Sequence, residues 1–249
     1  MRGGGTLKAP AFTLAEVLVT LGIIGIVAAL TMPNLIANHQ KKVLAVQAKT
    51  AYSLLAKAFI SAIEHKGESE YWTQGATSRT IFEQFLFPEL KGTSSRGNRI
   101  VYENCMDYLK NNNFFSEYFE MSARAGSCFI LTNGMLIFPS NASEEDRYSV
   151  SSVLVDVNGL KKPNKEGKDV FRFMIVSRTS RRGWGGSYSY GFAYGGQMRP
   201  APTIGIYPDG YGMSEFCNSP DPRYGISMSK CIAKLMEDGW EFKDDYPWK

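Results

Sequence analysis

The sequence predicts an α+β protein in which one long N-terminal α-helix packs on an antiparallel β-sheet head. Three observations predict it. Residues Phe12 to Leu30 form an apolar run interrupted by a single carboxylate, Glu16. Apolar residues then recur at helical spacing as far as Ile63. Beyond Gly67, short β-branched or alternating runs are separated by Asn-Gly and Pro-Asp-Gly turn signals.

The first element joins two kinds of helix. Residues 12–30 would extend about 28 Å as a helix, close to the roughly 30 Å hydrocarbon core of a bilayer. Arg2 and Lys8 precede the run. A carboxylate inside such a segment is costly, so it calls for a partner and a role. A secretory signal cut near Val27-Ala28-Ala29 is the competing reading. The length of the run, the early acid and the helical periodicity beyond the cut oppose that reading. Gly22 and Gly25 each weaken the helix by about 1 kcal/mol relative to Ala, and Pro33 removes a backbone donor. After Pro33 the stripe Leu44, Ala48, Ala51, Leu55, Ala58, Phe59, Ala62 and Ile63 predicts an amphipathic helix, with Gly67 as its stop. The expected division is therefore 1–11, a short leader; 12–37, a transmembrane half; 38–66, an amphipathic half; and 67–249, a globular β-rich head.

Within the head, residues Thr80–Leu86 read as a short helix or strand ended by Pro88. Asn133-Gly134 between Cys128–Thr132 and Met135–Phe138 predicts a hairpin. Strands are expected over Val153–Val157, Val170–Val176 and Thr203–Tyr207, and a short helix over Ser229–Glu237.

The composition narrows the function classes. The net charge is +4, with basic and acidic residues interleaved. Lys41-Lys42, Lys161-Lys162 and Arg181-Arg182 therefore read as solvated surface, and no nucleic-acid partner is expected. Arg178–Gly196 interleaves Arg, Gly, Tyr and Trp, a mixture that can bind single strands or sugars but more often forms an exposed Gly-rich loop. The two histidines, His39 and His65, both lie on the predicted helix, and no Walker, dinucleotide or zinc-protease motif is present, so no enzymatic activity is expected. The four cysteines, Cys105, Cys128, Cys217 and Cys231, contain no C-x-x-C pair. In an exported chain they predict disulfides, with three connectivities open, of which Cys105–Cys128 with Cys217–Cys231 is one. Asp156, Asn158, Asn164 and Asp169 concentrate oxygen donors in one stretch. Calcium could use such donors, but the spacing is not that of an EF-hand and four lysines intervene. A connection held by Asx turns is the favoured reading.

The N-terminus carries a family resemblance. Lys8-Ala9-Pro10-Ala11 followed by Phe12-Thr13-Leu14-Ala15-Glu16 and an apolar helix resembles the N-terminus of type IV prepilins and type II secretion pseudopilins. Gly25 and Pro33, counted from Phe12, fall where pilins carry a glycine and a proline. The match covers roughly residues 8–36. A weaker likeness to pilin-like heads lies in the D-x-N-G stretch from Asp156 to Phe171. The resemblance implies leader cleavage between Ala11 and Phe12 by a prepilin peptidase, with Ala11 where the family usually has Gly. It implies N-methylation of Phe12 and assembly through Glu16, which would neutralise a neighbouring subunit's ammonium. Gly22, Gly25 and Pro33 would let the helix bend or melt. The implied partners are the lipid bilayer and further copies of this chain or other pilin-like subunits in a helical filament. The implied location is the bacterial inner membrane, single-pass, with the head in the periplasm or on an extracellular filament. Pilus and pseudopilus stay open, and the large head tilts towards a minor or specialised subunit. The alternative is a signal-anchored or secreted binding module using the aromatic Gly-rich loop.

Overall fold

The structure, a computed structural model, describes residues 13–67, 78–90, 99–100, 128–139, 151–176, 192–194, 197–199, 205–208, 217 and 231–246. The predicted leader, Ala11, Phe12, Cys105 and most of the 178–196 stretch lie outside them. The chain divides into two compact units, Met1–Lys41 and Lys42–Lys249.

Helix α1 runs from Leu14 to Lys66 with Pro33 inside it. In the first unit every described side chain except Ala28 and Lys41 is exposed. In the second unit α1 turns one stripe inward: Leu44, Ala45, Ala48, Ala51, Leu55, Ala58, Phe59 and Ala62 are buried. Most of these are alanines, and a small side chain lets the helix backbone approach the sheet closely. Gly67, at φ +83°, ends the helix by donating its N–H to Ile63 O at 3.0 Å. That left-handed stop is the predicted one.

Helical structure continues in α2 (Ser78–Ile81), a π turn (Phe82–Leu86) and a 3-10 turn (Phe87–Glu89). Phe82, Leu86 and Leu90 recur every fourth residue and are buried. The segment is thus helical, and Pro88 does not end it. Pro88 sits in the first turn of the 3-10 segment, where its missing N–H costs nothing.

The head is built on antiparallel strands. These are β1 (Arg99–Ile100), β2 (Cys128–Ile130), β3 (Leu136–Pro139), β4 (Ser151–Asp156), β5 (Val170–Val176) and β8 (Gly205–Pro208), hydrogen-bonded in the order β1-β2-β3-β4-β5-β8. β6 (Phe192–Tyr194) and β7 (Gln197–Arg199) form a separate ribbon. The fold class is α+β, as the sequence predicts. Register aligns Phe129 with Ile137, Ile137 with Val155, and Val155 with Phe171. Because side chains alternate between faces, this row and the Val153–Phe173 pair lie on one face. They join the α1 stripe in a single core. Leu136, Phe138 and Leu154, of opposite parity, are also buried.

The Asn133-Gly134 hairpin forms as expected. Leu131 and Met135 close a three-residue loop, with Leu131 N–H on Met135 O at 2.9 Å and Gly134 at φ +85°. Two predicted strands shift: β4 begins at Ser151 and ends one residue early, and β8 takes in Pro208, which the sequence assigns to a turn. Helix α3 spans Cys231–Glu237. It ends in a Schellman motif, in which Gly239 N–H bonds Met236 O at 3.1 Å and Trp240 N–H bonds Leu235 O at 2.7 Å.

Candidate functional site

The start of α1 is a reciprocal hydrogen-bonded box. Thr13 donates its backbone N–H and its hydroxyl to Glu16 Oε2, each at 2.8 Å. Glu16 N–H is returned to Thr13 Oγ1 at 3.3 Å. This is a capping box: Thr at the cap and Glu three residues on satisfy two donors that the first turn would leave unpaired. Glu16 stands out in the sequence by its charge, whereas Thr13 does not. The signal was present as T-x-x-E just before an apolar run.

From this box the helix presents apolar side chains on all sides. Leu14 is 78 %, Leu30 72 % and Leu35 70 % exposed, and none of Leu14–Ile36 is buried. So much contiguous bare hydrocarbon is what water cannot accommodate and lipid or another protein can. The helix is long and apolar enough to cross a membrane, a test that a signal sequence also passes. A Cβ built on Gly22 or Gly25 would meet nothing within 4 Å, so packing does not require glycine at either position. Pro33 stays within the helix rather than breaking it.

The oxygen-rich stretch forms the β4–β5 connection. Asp169 is fully buried, and its carboxylate accepts from Asn164 N–H at 2.8 Å, Lys165 N–H at 2.6 Å and Asn158 Nδ2 at 3.0 Å. Burial pushes its pKa up, and these donors pull partly the other way. Asp156 Oδ1 accepts from Asn158 N–H at 3.1 Å in an Asx turn. The structure therefore brings the four oxygen-bearing residues into one connection, where their bonds run to one another and to the backbone. Among the described residues no group of three or more His, Cys, Asp or Glu is arranged to hold a metal ion. Asp169 Oδ2 holds two of these donors and Oδ1 one, whereas the buried Asn158 Oδ1 accepts none.

Cys217 and Cys231 form a disulfide, and Cys128 is also disulfide-bonded. Two further contacts carry no local sequence signal. Glu89 Oε2 accepts from Ser61 Oγ at 2.7 Å and pairs with His65 Nδ1 at 2.9 Å. Ser61 first, then His65, holds the Glu89 carboxyl below its usual range. Tyr246, buried, donates its hydroxyl to Gly167 O at 2.6 Å, and burial pushes its pKa well up.

Residues 34–249 match a family described as a family of unknown function, DUF6613, and the chain belongs to that family. No curated protein and no solved structure matches. The match begins at Asn34, so the capping box and the whole apolar run lie outside it.

Proposed function

We propose that this chain is a prepilin-like structural subunit, held in a bilayer by the first half of α1 and polymerised through that helix after its leader is removed. The observation that carries the reading is the helix start. A single carboxylate stands at the head of an apolar helix whose residues 14–36 are bare on every side. Lipid covers that surface in the monomer, and neighbouring helices cover it in a filament. After cleavage before Phe12, the new ammonium would lie one turn from Glu16. In a dry filament core a lone charge of either sign is expensive, while a matched pair offsets much of the cost. Glu16 then sets the stagger between subunits as well as neutralising the amine. The buried α1 stripe and the Cys217–Cys231 disulfide support an exported structural domain. The subunit serves a type IV pilus or a type II secretion pseudopilus, with its head on the outer side of the inner membrane.

The test is the mature N-terminus. The full chain is co-expressed with a prepilin peptidase, and the membrane-extracted protein is sequenced and weighed. A start at Phe12 carrying a methylated amine is expected. A start at Met1, or one near Leu30, refutes the reading.

A further inference from the structure

Helix α3 has seven residues, too few to hold itself without support. It is clamped at both ends. At its first residue, Cys231, the disulfide ties it to Cys217. At its far end Gly239, at φ +74°, turns the chain back as a strap over residues 240–246. The strap has two anchors on other elements. The Trp240 ring lies against Tyr52 of α1 with centroids 5.7 Å apart, and Tyr52 stacks on Phe173 of β5 at 6.4 Å. Tyr246 donates to Gly167 O in the β4–β5 connection. Lys234 on α3 bonds Asp238 at 3.0 Å and Asp245 at 2.7 Å, so the strap is also tied back to the helix it leaves. Between the clamps Ile232 and Leu235 are fully buried. Both cysteines are buried as well, Cys231 completely and Cys217 to 2 % exposure.

We infer that α3 and its strap form a redox-set clasp: the disulfide at one end and the strap anchors at the other are coupled through the short helix, so releasing either end opens both. Closure follows oxidation. The two thiols lose two protons and two electrons to a disulfide-bearing oxidant by way of a mixed disulfide, and the oxidant leaves as a dithiol. Once the clasp is closed, both sulfurs are buried, and a reductant reaches them only when the coupled helix and strap open. The coupling is reciprocal, as any equilibrium coupling between two sites must be. In a reducing compartment the clasp stays open, and the strap neither braces Tyr52 of α1 nor covers the β4–β5 connection. This inference does not depend on the filament reading.

Two experiments on the full chain in detergent micelles test it. In the first, the disulfide is reduced with tris(2-carboxyethyl)phosphine, and the newly exposed thiols at 217 and 231 are counted by alkylation and mass spectrometry. Tyr246→Phe removes a buried hydrogen bond far along the strap from the sulfurs. It should speed reduction by about five- to thirtyfold. Phe82→Leu loosens the core beside Phe87 and Phe129, away from the strap, and should leave the rate within about twofold of the native chain. Equal acceleration by both variants overturns the clasp, because global unfolding then governs access. No acceleration by Tyr246→Phe overturns it too. In the second, the paired substitution Cys217→Ser, Cys231→Ser is followed by amide hydrogen exchange. Protection should fall at Gly239, Trp240 and Tyr246 and persist at Val155 and Phe171. Loss everywhere, or nowhere, refutes the coupling.

Discussion

Gly159 makes the sharpest structural prediction. It sits at φ +73°, where an L side chain is strained, and a Cβ there would overlap the carbonyl oxygen of Gly134. The left-handed conformation alone costs about 1–2 kcal/mol for a residue with a Cβ. Overlap with backbone adds to it, since neither turn can yield by rotating a side chain, and forced shifts of this kind cost about 1–3 kcal/mol. Gly159→Ala should therefore destabilise the head by about 2–5 kcal/mol. Gly134→Ala supplies the control. Gly134 has φ +85°, but a Cβ there meets nothing within 4 Å, so only the conformational term applies. It should cost about 1–2 kcal/mol. Urea unfolding of both full-length variants, followed by tryptophan fluorescence, gives the two values. If the two variants lose the same stability, the close approach of the two Asn-Gly turns is wrong and the register between β3 and β4 with it.

Three further predictions follow from the polar contacts. Asp169→Asn leaves at least one of three donors without its acceptor in a buried site and should cost about 1–3 kcal/mol in urea unfolding; an unchanged midpoint would remove Asp169 as the organiser of the connection. Glu89 and Asp245 are both held below their usual pKa, by Ser61 and by Lys234 respectively, so their contributions are present above about pH 4.5 for Glu89 and about pH 3.8 for Asp245, and are lost as pH falls through the lowered folded values. Asp169, raised by burial, works in the opposite sense: its native form holds its proton more tightly, so it favours folding as pH falls towards the unfolded value near 3.8. Glu89→Gln should accordingly flatten the acid limb of the stability profile measured by thermal melts from pH 3 to 6, and a slope identical to the native chain would show the contacts of Glu89 with Ser61 and His65 to be inert. Finally, Glu16→Gln keeps the capping geometry and removes the charge, whereas Glu16→Ala removes both. On the proposed function both variants lose filament yield in sheared surface fractions, while only Glu16→Ala speeds amide exchange at Thr13; normal yield from either would contradict the assembly role.

How much of this was legible in the sequence depended on how local the determining contacts are. β5 appears over the predicted residues because Val170–Val176 alternates and is β-branched, a signal complete within seven residues. The stop at Gly67 and the Asn133-Gly134 hairpin were legible for the same reason: each depends on one residue's access to positive φ. Pro88 misled because a proline after a helical run usually ends it, and the 3-10 turn that accommodates it is set by Phe82, Leu86 and Leu90 finding the core. The disulfide partner of Cys217 could not be chosen among three connectivities without coordinates. Ser61 and Glu89 are 28 residues apart, and Tyr246 and Gly167 79 apart, so neither contact leaves a local pattern. The donors that complete Asp169 are backbone N–H groups, which every residue but proline carries and which no composition can flag.

Two carboxylates stood out in the sequence, Glu16 and Asp169, and the structure gives them the same local chemistry. Each accepts from a backbone N–H and a second donor: Thr13 N–H and hydroxyl for Glu16; Asn164 and Lys165 N–H with Asn158 Nδ2 for Asp169. What separates them is access. Asp169 is fully buried, with two donors on Oδ2 and one on Oδ1 that tie its carboxylate to its own connection. Burial keeps an external partner from reaching it, so Asp169 is an organiser of its own connection. Glu16 is exposed at the end of a helix, with its Oε2 taken by a residue three positions away. A cation arriving there adds to the hydrogen bonds before it displaces any of them. Of the two acids, then, only Glu16 can trade an internal partner for an external one, which is why the proposed assembly chemistry belongs at the start of α1 and not in the oxygen-rich turn of the head.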